Sequence, residues 1–319
     1  MLPVAVQVGA RLSSSPFSLL PPCATIWAMA RPFLKWAGGK GKLAPAILAA
    51  APPAVSRYIE PFAGAGAVFF AFEEERPGTP AILADANRDL IETYTVIRDE
   101  LAALDAELAA LAAAYHAADG AARHAMYYRI RAGAPVTPPQ RAARFIFLNR
   151  TCYNGLYRVN ASGGFNVPFG RYKNPRIHDS GLLAACSAAL QRATLRVADF
   201  AEVCAEARPG DFVYLDPPYQ PLSATASFTA YTSGDFGPAE QVRLRDAFDD
   251  LSRRGVAAML SNSDHPVIRG LYEAPGNRLA TVCMSRAINS VGSGRAAVPE
   301  LLFDNFARVG LAPAAGRAD

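Results

Sequence analysis

Asp216-Pro217-Pro218-Tyr219 follows directly on the apolar run Phe212-Val213-Tyr214-Leu215. A buried strand that ends in an acid, two prolines and an aromatic ring sets a carboxylate, a fixed backbone carbonyl and a flat stacking face side by side. Such a set suits an exocyclic amino group on a planar base. The amine can donate one hydrogen bond to Asp216 and one to the Pro217 carbonyl, while the Tyr219 ring stacks and holds the nitrogen toward an electrophile. Reaction at that amine is the chemistry implied. The plainer alternative is a strand-to-turn junction, since Asp-Pro is ordinary turn vocabulary.

A second constellation lies upstream. Arg57-Tyr58-Ile59-Glu60 leads into Pro61-Phe62-Ala63-Gly64-Ala65-Gly66, and the pattern reads as strand, glycine turn and helix. The run Ala81-Ile82-Leu83-Ala84 then closes on Asp85, about twenty residues on, where a carboxylate can accept both ribose hydroxyls. A dinucleotide site expects a third glycine or alanine, and Phe69 stands there instead. That favours a ligand with a ribose and no pyrophosphate, for which S-adenosylmethionine is the natural candidate; an ordinary tight turn is the alternative for the glycine pair. A phosphate-binding loop fails at Lys40, where Leu34 stands at the first glycine and Gly41 in place of the magnesium-binding hydroxyl, and equally at Lys42, where Trp36 and Leu43 stand there.

The elements that position these groups read as an interrupted α/β sheet. Strands are predicted at 57–60, 81–85, 193–197, 211–215 and 256–260, with a helix over 238–253. Tyr94, Ile97, Leu101, Leu104, Leu108, Leu111 and Tyr115 recur in threes and fours, which predicts one long helix over 88–115 that opens a helical insert running to about residue 185. Pro135, Pro138 and Pro139 mark a loop inside it. The expected division is a leader at 1–30, a catalytic domain in two parts at 31–87 and 189–312, and a recognition insert at 88–188.

Charge sharpens that division. The chain of 319 residues carries a net +4, yet 121–178 holds ten cations and no acid, so the remainder sums to −6. A segment this one-sided suits a polyanion, with a basic solvated face as the alternative. The five cysteines are scattered without a CxxC pair, and the one that follows a proline, Cys23 after Pro22, lies in the leader outside the α/β pattern. No disulfide framework, metal site or covalent cysteine chemistry is expected, and a reduced cytoplasmic setting fits. No apolar run reaches the roughly 18 residues of a membrane span. Residues 1–30, interrupted by Pro16, Pro21 and Pro22, read as a disordered leader, and Met29 is a possible alternative start.

Seven ordered segments resemble the Dam-like family of DNA adenine-N6 methyltransferases. They are Phe33 to Lys40, Glu60 to Gly66, Asp85 to Leu90, Asn149 to Tyr172, Asp216 to Tyr231, Ser261-Asn262, and Arg286 to Ser290 with Gly294-Arg295. The resemblance implies a Rossmann-like methyltransferase sheet, mostly parallel with an antiparallel edge strand, S-adenosylmethionine as cofactor, and the adenine of a short duplex site as substrate. It implies that Trp36, Lys40, Gly64, Asp85 and Asp216 line the cofactor. Asp199 and Phe200 would meet the cofactor's adenine, with a plain strand-end cap the alternative.

Residues 153–170 read as a β-hairpin, which in the family enters the major groove. Arg158 would pair with a guanine, Leu156 would touch a thymine methyl, and Tyr153 would wedge beside the opened step. Packing within the hairpin is the alternative for each. Asn154, Asn160 and Lys35 join these as expected DNA contacts, and Arg286 to Arg295 as a backbone clamp. The hairpin is most similar to readers of GATC, although Tyr157 replaces the small residue expected there. A monomer on double-stranded DNA at the nucleoid is expected. The competing readings are methylation of RNA or of a protein glutamine, whose enzymes usually carry Asn in place of Asp216, and a silent DNA-binding regulator on the same fold.

Overall fold

Parallel pairing joins β1 (Arg57–Glu60), β2 (Ala81–Asp85), β3 (Ala193–Val197), β4 (Asp211–Leu215) and β5 (Ala257–Ser263). The structure is a computed structural model that describes residues 29–219, 236–285 and 297–311. Every residue of β4 and of β5 is buried, as a strand covered on both faces requires. The seven-stranded order is β3-β2-β1-β4-β5-β7-β6, with β6 at Arg278–Ser285 and β7 at Ala297–Asp304. The antiparallel strand is β7, which lies between β5 and the rim strand β6.

Side-chain alternation sorts the core into two layers. Tyr58, Leu83, Phe212 and Tyr214 face one cluster, which includes residues of α1 (Ala44–Ala50), α2 (Ala67–Glu75), α3 (Arg88–Asp99) and α7 (Ser180–Leu190). Ile59, Ile82, Val213 and Leu215 face the other, with α8 (Phe200–Ala205), α9 (Pro238–Arg253) and α10 (Pro266–Tyr272). This is a three-layer Rossmann-like sheet. Helix α3 packs on β2 and β3, and α7 packs on α3. Between them α4 (Leu101–Ala117), α5 (Gly120–Ala132) and α6 (Pro138–Thr151) form the helical block that carries the hairpin.

Three local expectations are corrected. The helix expected over 88–115 is two helices, because Glu100 leaves helical geometry at φ −130° and ψ 34°. Pro138 and Pro139 do not lie in a loop but open α6, where a missing N–H costs nothing, behind Thr137 as N-cap. The fifth strand begins one residue later than expected and runs three further, to Ser263.

The hairpin departs from a laddered form. It begins with a 3-10 turn at Tyr153–Gly155, and its arms meet through the isolated bridges Cys152–Phe169 and Val159–Phe165. Pro168 has no N–H to give, and the Asn160 side chain binds the tip backbone itself. Among the described residues no helix is long and apolar enough to cross a membrane, and no group of three or more His, Cys, Asp or Glu could hold a metal ion. Most of the leader and the stretches 220–235 and 286–296, which include the expected backbone clamp, lie outside the described residues.

Candidate active site

The sheet order reverses between β1 and β4, and the crevice beyond their carboxyl ends is where an open α/β sheet binds ligands. Asp216 stands at the β4 tip. Its Oδ1 accepts from the Lys40 ammonium at 3.0 Å and from Ser261 Oγ at 2.9 Å. Since Ser261 gives its proton to Asp216, the 2.8 Å contact with Tyr214 must be a bond that Tyr214 donates. The Lys40 ammonium also donates to the Gly38 carbonyl at 2.6 Å and lies 4.4 Å over the centre of the Tyr219 ring. Burial pushes the Asp216 carboxyl above the ordinary carboxylate range, and Lys40 and Ser261 pull it partly back.

Distant elements fix the aromatic ring and the Pro218 carbonyl. The Tyr219 hydroxyl donates to Glu300 Oε2 at 2.9 Å, from the antiparallel strand β7. Gln241, fully buried on α9, donates to the Pro218 carbonyl at 3.1 Å and accepts from Asn262 at 3.3 Å. Amide and carboxylate partners therefore hold the segment from both sides. Ser261, Gln241 and Glu300 carry no site role in the sequence reading; the signal available for Ser261 was its place in the Ser261-Asn262 segment just past the predicted strand.

The expected cofactor residues gather at the neighbouring tips. Gly64 N–H donates to Asp85 Oδ2 at 3.0 Å and Asn87 N–H to Oδ1 at 2.9 Å. Each carboxylate oxygen keeps a further lone pair for a ribose hydroxyl. Burial raises the Asp85 carboxyl, and these two amides oppose the shift. Gly64 and Gly66 have φ of 46° and 69°, and a Cβ on Gly64 would sit 3.0 Å from the Trp36 indole. The glycines are thus required by the turn and by Trp36 itself. A carboxylate with open lone pairs, a buried lysine and an indole face form a donor set that fits S-adenosylmethionine.

Glu60, on β1, is a further buried acid. It accepts from the Tyr58 hydroxyl at 2.9 Å, and burial raises its carboxyl well above the ordinary value. Asp199 caps α8 through Ala201 N–H at 2.9 Å and pairs with Arg243, whose guanidinium lies 4.6 Å over Phe200. Phe200 stacks on Phe62 at 5.3 Å. The strand-end cap is the arrangement present at Asp199.

The expected DNA contacts lie along the hairpin, from Lys35 and Tyr153 at its root to Asn160 at its tip. Lys35 is pinned in both backbone directions by Asn149, at 2.8 and 2.7 Å, and its ammonium lies 3.7 Å over the Tyr172 ring. Its side chain runs across Gly155, where a Cβ would come within 2.4 Å. Tyr153 is half exposed, Asn154 takes a left-handed φ of 55°, and Leu156 packs partly against the core. Arg158 is exposed and donates through Nε to Asn166 at 2.7 Å. Asn160 holds the tip, accepting from Ser162 N, Ser162 Oγ and Gly164 N.

The basic block divides by use. Arg123, Arg131 and Arg144 bind backbone carbonyls, and Arg141 and Arg176 pair with Glu92 and Asp179. Cations bonded within the fold are thus interleaved with exposed ones such as Arg158.

A family model described as D12 class N6 adenine-specific DNA methyltransferase matches residues 36–285. The chain is 40% identical to the type II methyltransferase M.MjaIII of Methanocaldococcus jannaschii, across 86% of this chain and 99% of that protein. It is 37% identical to the type II methyltransferase M1.LlaDCHI of Lactococcus lactis subsp. cremoris, across 86% and 95%. It is 38% identical to the DNA adenine methylase of Escherichia coli K12, across 85% and 94%. A strand-tip acid, two prolines and an aromatic ring, matched from Trp36 to the end of β6, make the assignment: the chain belongs to the D12 class of N6 adenine-specific DNA methyltransferases.

Proposed function

We propose that this chain transfers a methyl group from S-adenosylmethionine to N6 of an adenine rotated out of a GATC site in double-stranded DNA. The observation that carries the reading is the meeting of Asp216, Lys40 and Tyr219. An adenine amine that donates to Asp216, with its ring against Tyr219, makes the two contacts that the Lys40 ammonium makes now. Lys40 therefore stands in for the target amine. A carboxylate on the methyl donor is the counter-ion that would draw it aside. The donor, when bound, supplies an electrophilic methyl group on a sulfonium centre.

Adenine N6 is conjugated with its ring and stacked in the duplex, so the base must leave the helix before the amine can react. Extrusion costs a few kcal/mol. Stacking on Tyr219, worth roughly 1–3 kcal/mol, and the amine bonds to Asp216 and the Pro217 carbonyl offset it. Those two acceptors pull the nitrogen toward tetrahedral geometry and aim its lone pair. Asp216 is the group placed to take the departing proton, and no covalent enzyme intermediate is needed.

Trp36, Lys40, Gly64, Asp85 and Asp216 hold the donor in this reading, with Asp199 and Phe200 near its adenine. Arg158 reads a guanine, Leu156 a thymine methyl, and Tyr153 wedges the opened step, with Lys35, Asn154 and Asn160 alongside. GATC rests on the hairpin's likeness to readers of that sequence. A monomer acting at the nucleoid, with catalytic parts at 31–87 and 189–312 around a recognition insert at 88–188, completes the proposal.

Incubation with labelled methyl donor and plasmid, followed by nucleases that distinguish methylated from bare GATC, tests it. Label confined to GATC adenine is expected. Label at another sequence overturns the target, and label on RNA or protein alone overturns the substrate class.

A further inference from the structure

Tyr157 and Arg158 are neighbours that point into different surroundings. Arg158 is exposed on the hairpin, whereas Tyr157 is only 7% exposed. The Tyr157 ring stacks on Trp36 with centroids 5.6 Å apart and planes at 24°, and packs beside Phe145 and Phe165 at 5.3 and 5.8 Å. Its hydroxyl donates to Asp89 Oδ2 at 3.1 Å. Asp89 lies in the first turn of α3, two residues after Asn87, whose backbone N–H holds Asp85 and whose side-chain oxygen caps the helix. The Asn87 Nδ2 atom is buried without a hydrogen-bond partner among the described residues. Trp36 in turn lies against Gly64. One tyrosine therefore touches both walls of the expected donor pocket, and one peptide unit, about 3.8 Å between Cα atoms, separates it from the expected base reader.

We propose that Tyr157 is a positioning residue that couples the two sites, so that a filled donor pocket fixes the hairpin in the geometry that discriminates the cognate base pair. The proposal rests on the donor and hairpin roles given above. Its physical content is a shared side chain. Ordering of Trp36 and the Asp85–Asp89 turn by the donor restrains the Tyr157 ring at its face and at its hydroxyl, and the restraint passes to Arg158 through the backbone. Linkage makes the effect reciprocal: the cognate duplex must tighten the donor by the same factor by which the donor tightens the duplex.

The test uses the full chain, S-adenosylhomocysteine as unreactive probe, and calorimetric affinities with no duplex, with a GATC duplex, and with a duplex changed at one base pair. In the wild type the probe should tighten the GATC duplex about tenfold more than the changed duplex, within the usual range of coupling between sites. Tyr157→Phe, which keeps the stack and loses the Asp89 bond, should retain part of that ratio, and Tyr157→Cys should bring it to about one. The readout is a ratio, so a general loss of affinity for either ligand leaves it unmoved. A tenfold ratio that survives Tyr157→Cys overturns the proposal, as does a wild type that binds both ligands without coupling. A wild type that binds neither the probe nor the GATC duplex refutes the functional reading itself, which is a separate outcome. Should Tyr157→Cys not fold, Tyr157→Phe decides, and an unchanged ratio there counts against the coupling.

Discussion

The crevice at the strand tips and the hairpin of the helical block are built on opposite plans. In the crevice, partners distant in sequence hold each group: Tyr219 by Glu300 over 81 residues, Asp216 by Ser261 over 45, and Pro218 by Gln241 over 23. At the hairpin tip the side-chain bonds span eight residues or fewer, and the groups are exposed. Long-range, buried bonding keeps a reacting group within the small tolerance that chemistry needs. Local, exposed bonding leaves the reading side chains free to adapt to a duplex. Damage to the first region should appear in turnover and damage to the second in choice of sequence.

The largest break expected is Asp216→Ala. Loss of the carboxylate that aims the amine should lower methyl transfer by about 10³-fold or more. Binding to duplex DNA should persist, as a gel-shift titration beside a label-transfer assay would report. Normal turnover would remove Asp216 from the chemistry and erase the contrast. The same carboxylate sets a pH dependence. Its proton affinity is raised by burial, and the ionised form is the acceptor the amine needs, so activity should fall with decreasing pH at a point above the ordinary Asp value of about 3.9. An acid limb at or below that value counts against the role.

Next in size is Arg158→Ala. A bidentate contact to one base is worth about 1–3 kcal/mol of discrimination, so the specificity ratio at a single base pair should fall by about 10- to 100-fold. Rates on random and cognate duplexes that fall equally would make Arg158 a general DNA contact. Between the regions stands Glu300→Ala, which frees the Tyr219 hydroxyl; kcat should drop about tenfold, the scale of one lost hydrogen bond of about 1.5 kcal/mol, with site choice unchanged. A change in site choice without a change in kcat would break the division of labour.

How much of this was legible in the sequence follows the same division. Strands β1 to β4 and helix α9 fall where periodicity puts them, because a buried strand is a short apolar run and α9 shows a clear 3.6 pattern. Asp216, Asp85, Trp36 and Lys40 could be named because each sits in a local motif. The residues that hold them could not. Ser261 lies 45 positions from Asp216, and Glu300 lies on a strand that no alternation announced. The break at Glu100 was hidden by strong helix formers on either side, in an alanine-rich stretch where the apolar stripe continues without interruption. Three prolines within five residues, Pro135, Pro138 and Pro139, mark a loop in the sequence, yet Pro138 follows the N-cap Thr137 and occupies the first helical position, where proline is tolerated.

The smallest effect asks whether the buried region carries a cost the hairpin does not. Glu60 is 3% exposed and forms no ion pair among the described residues, and burial raises its carboxyl well above the ordinary value of about 4.3. Below that ordinary value both folded and unfolded chains hold the proton, and the group costs nothing extra. As pH rises past it, the unfolded chain releases the proton while the folded chain keeps it, so stability declines until the folded carboxyl also ionises. Glu60→Gln keeps an acceptor for the Tyr58 hydroxyl and has nothing to titrate. The variant should therefore melt higher than the wild type at pH 8, by about 2–4 °C, the shift that roughly 1 kcal/mol produces in a domain of this size. The gain should vanish near pH 4. A gain that is the same at both pH values would trace to packing rather than to the buried charge, and a loss at pH 8 would mean that the Glu60 carboxylate is compensated in the folded chain.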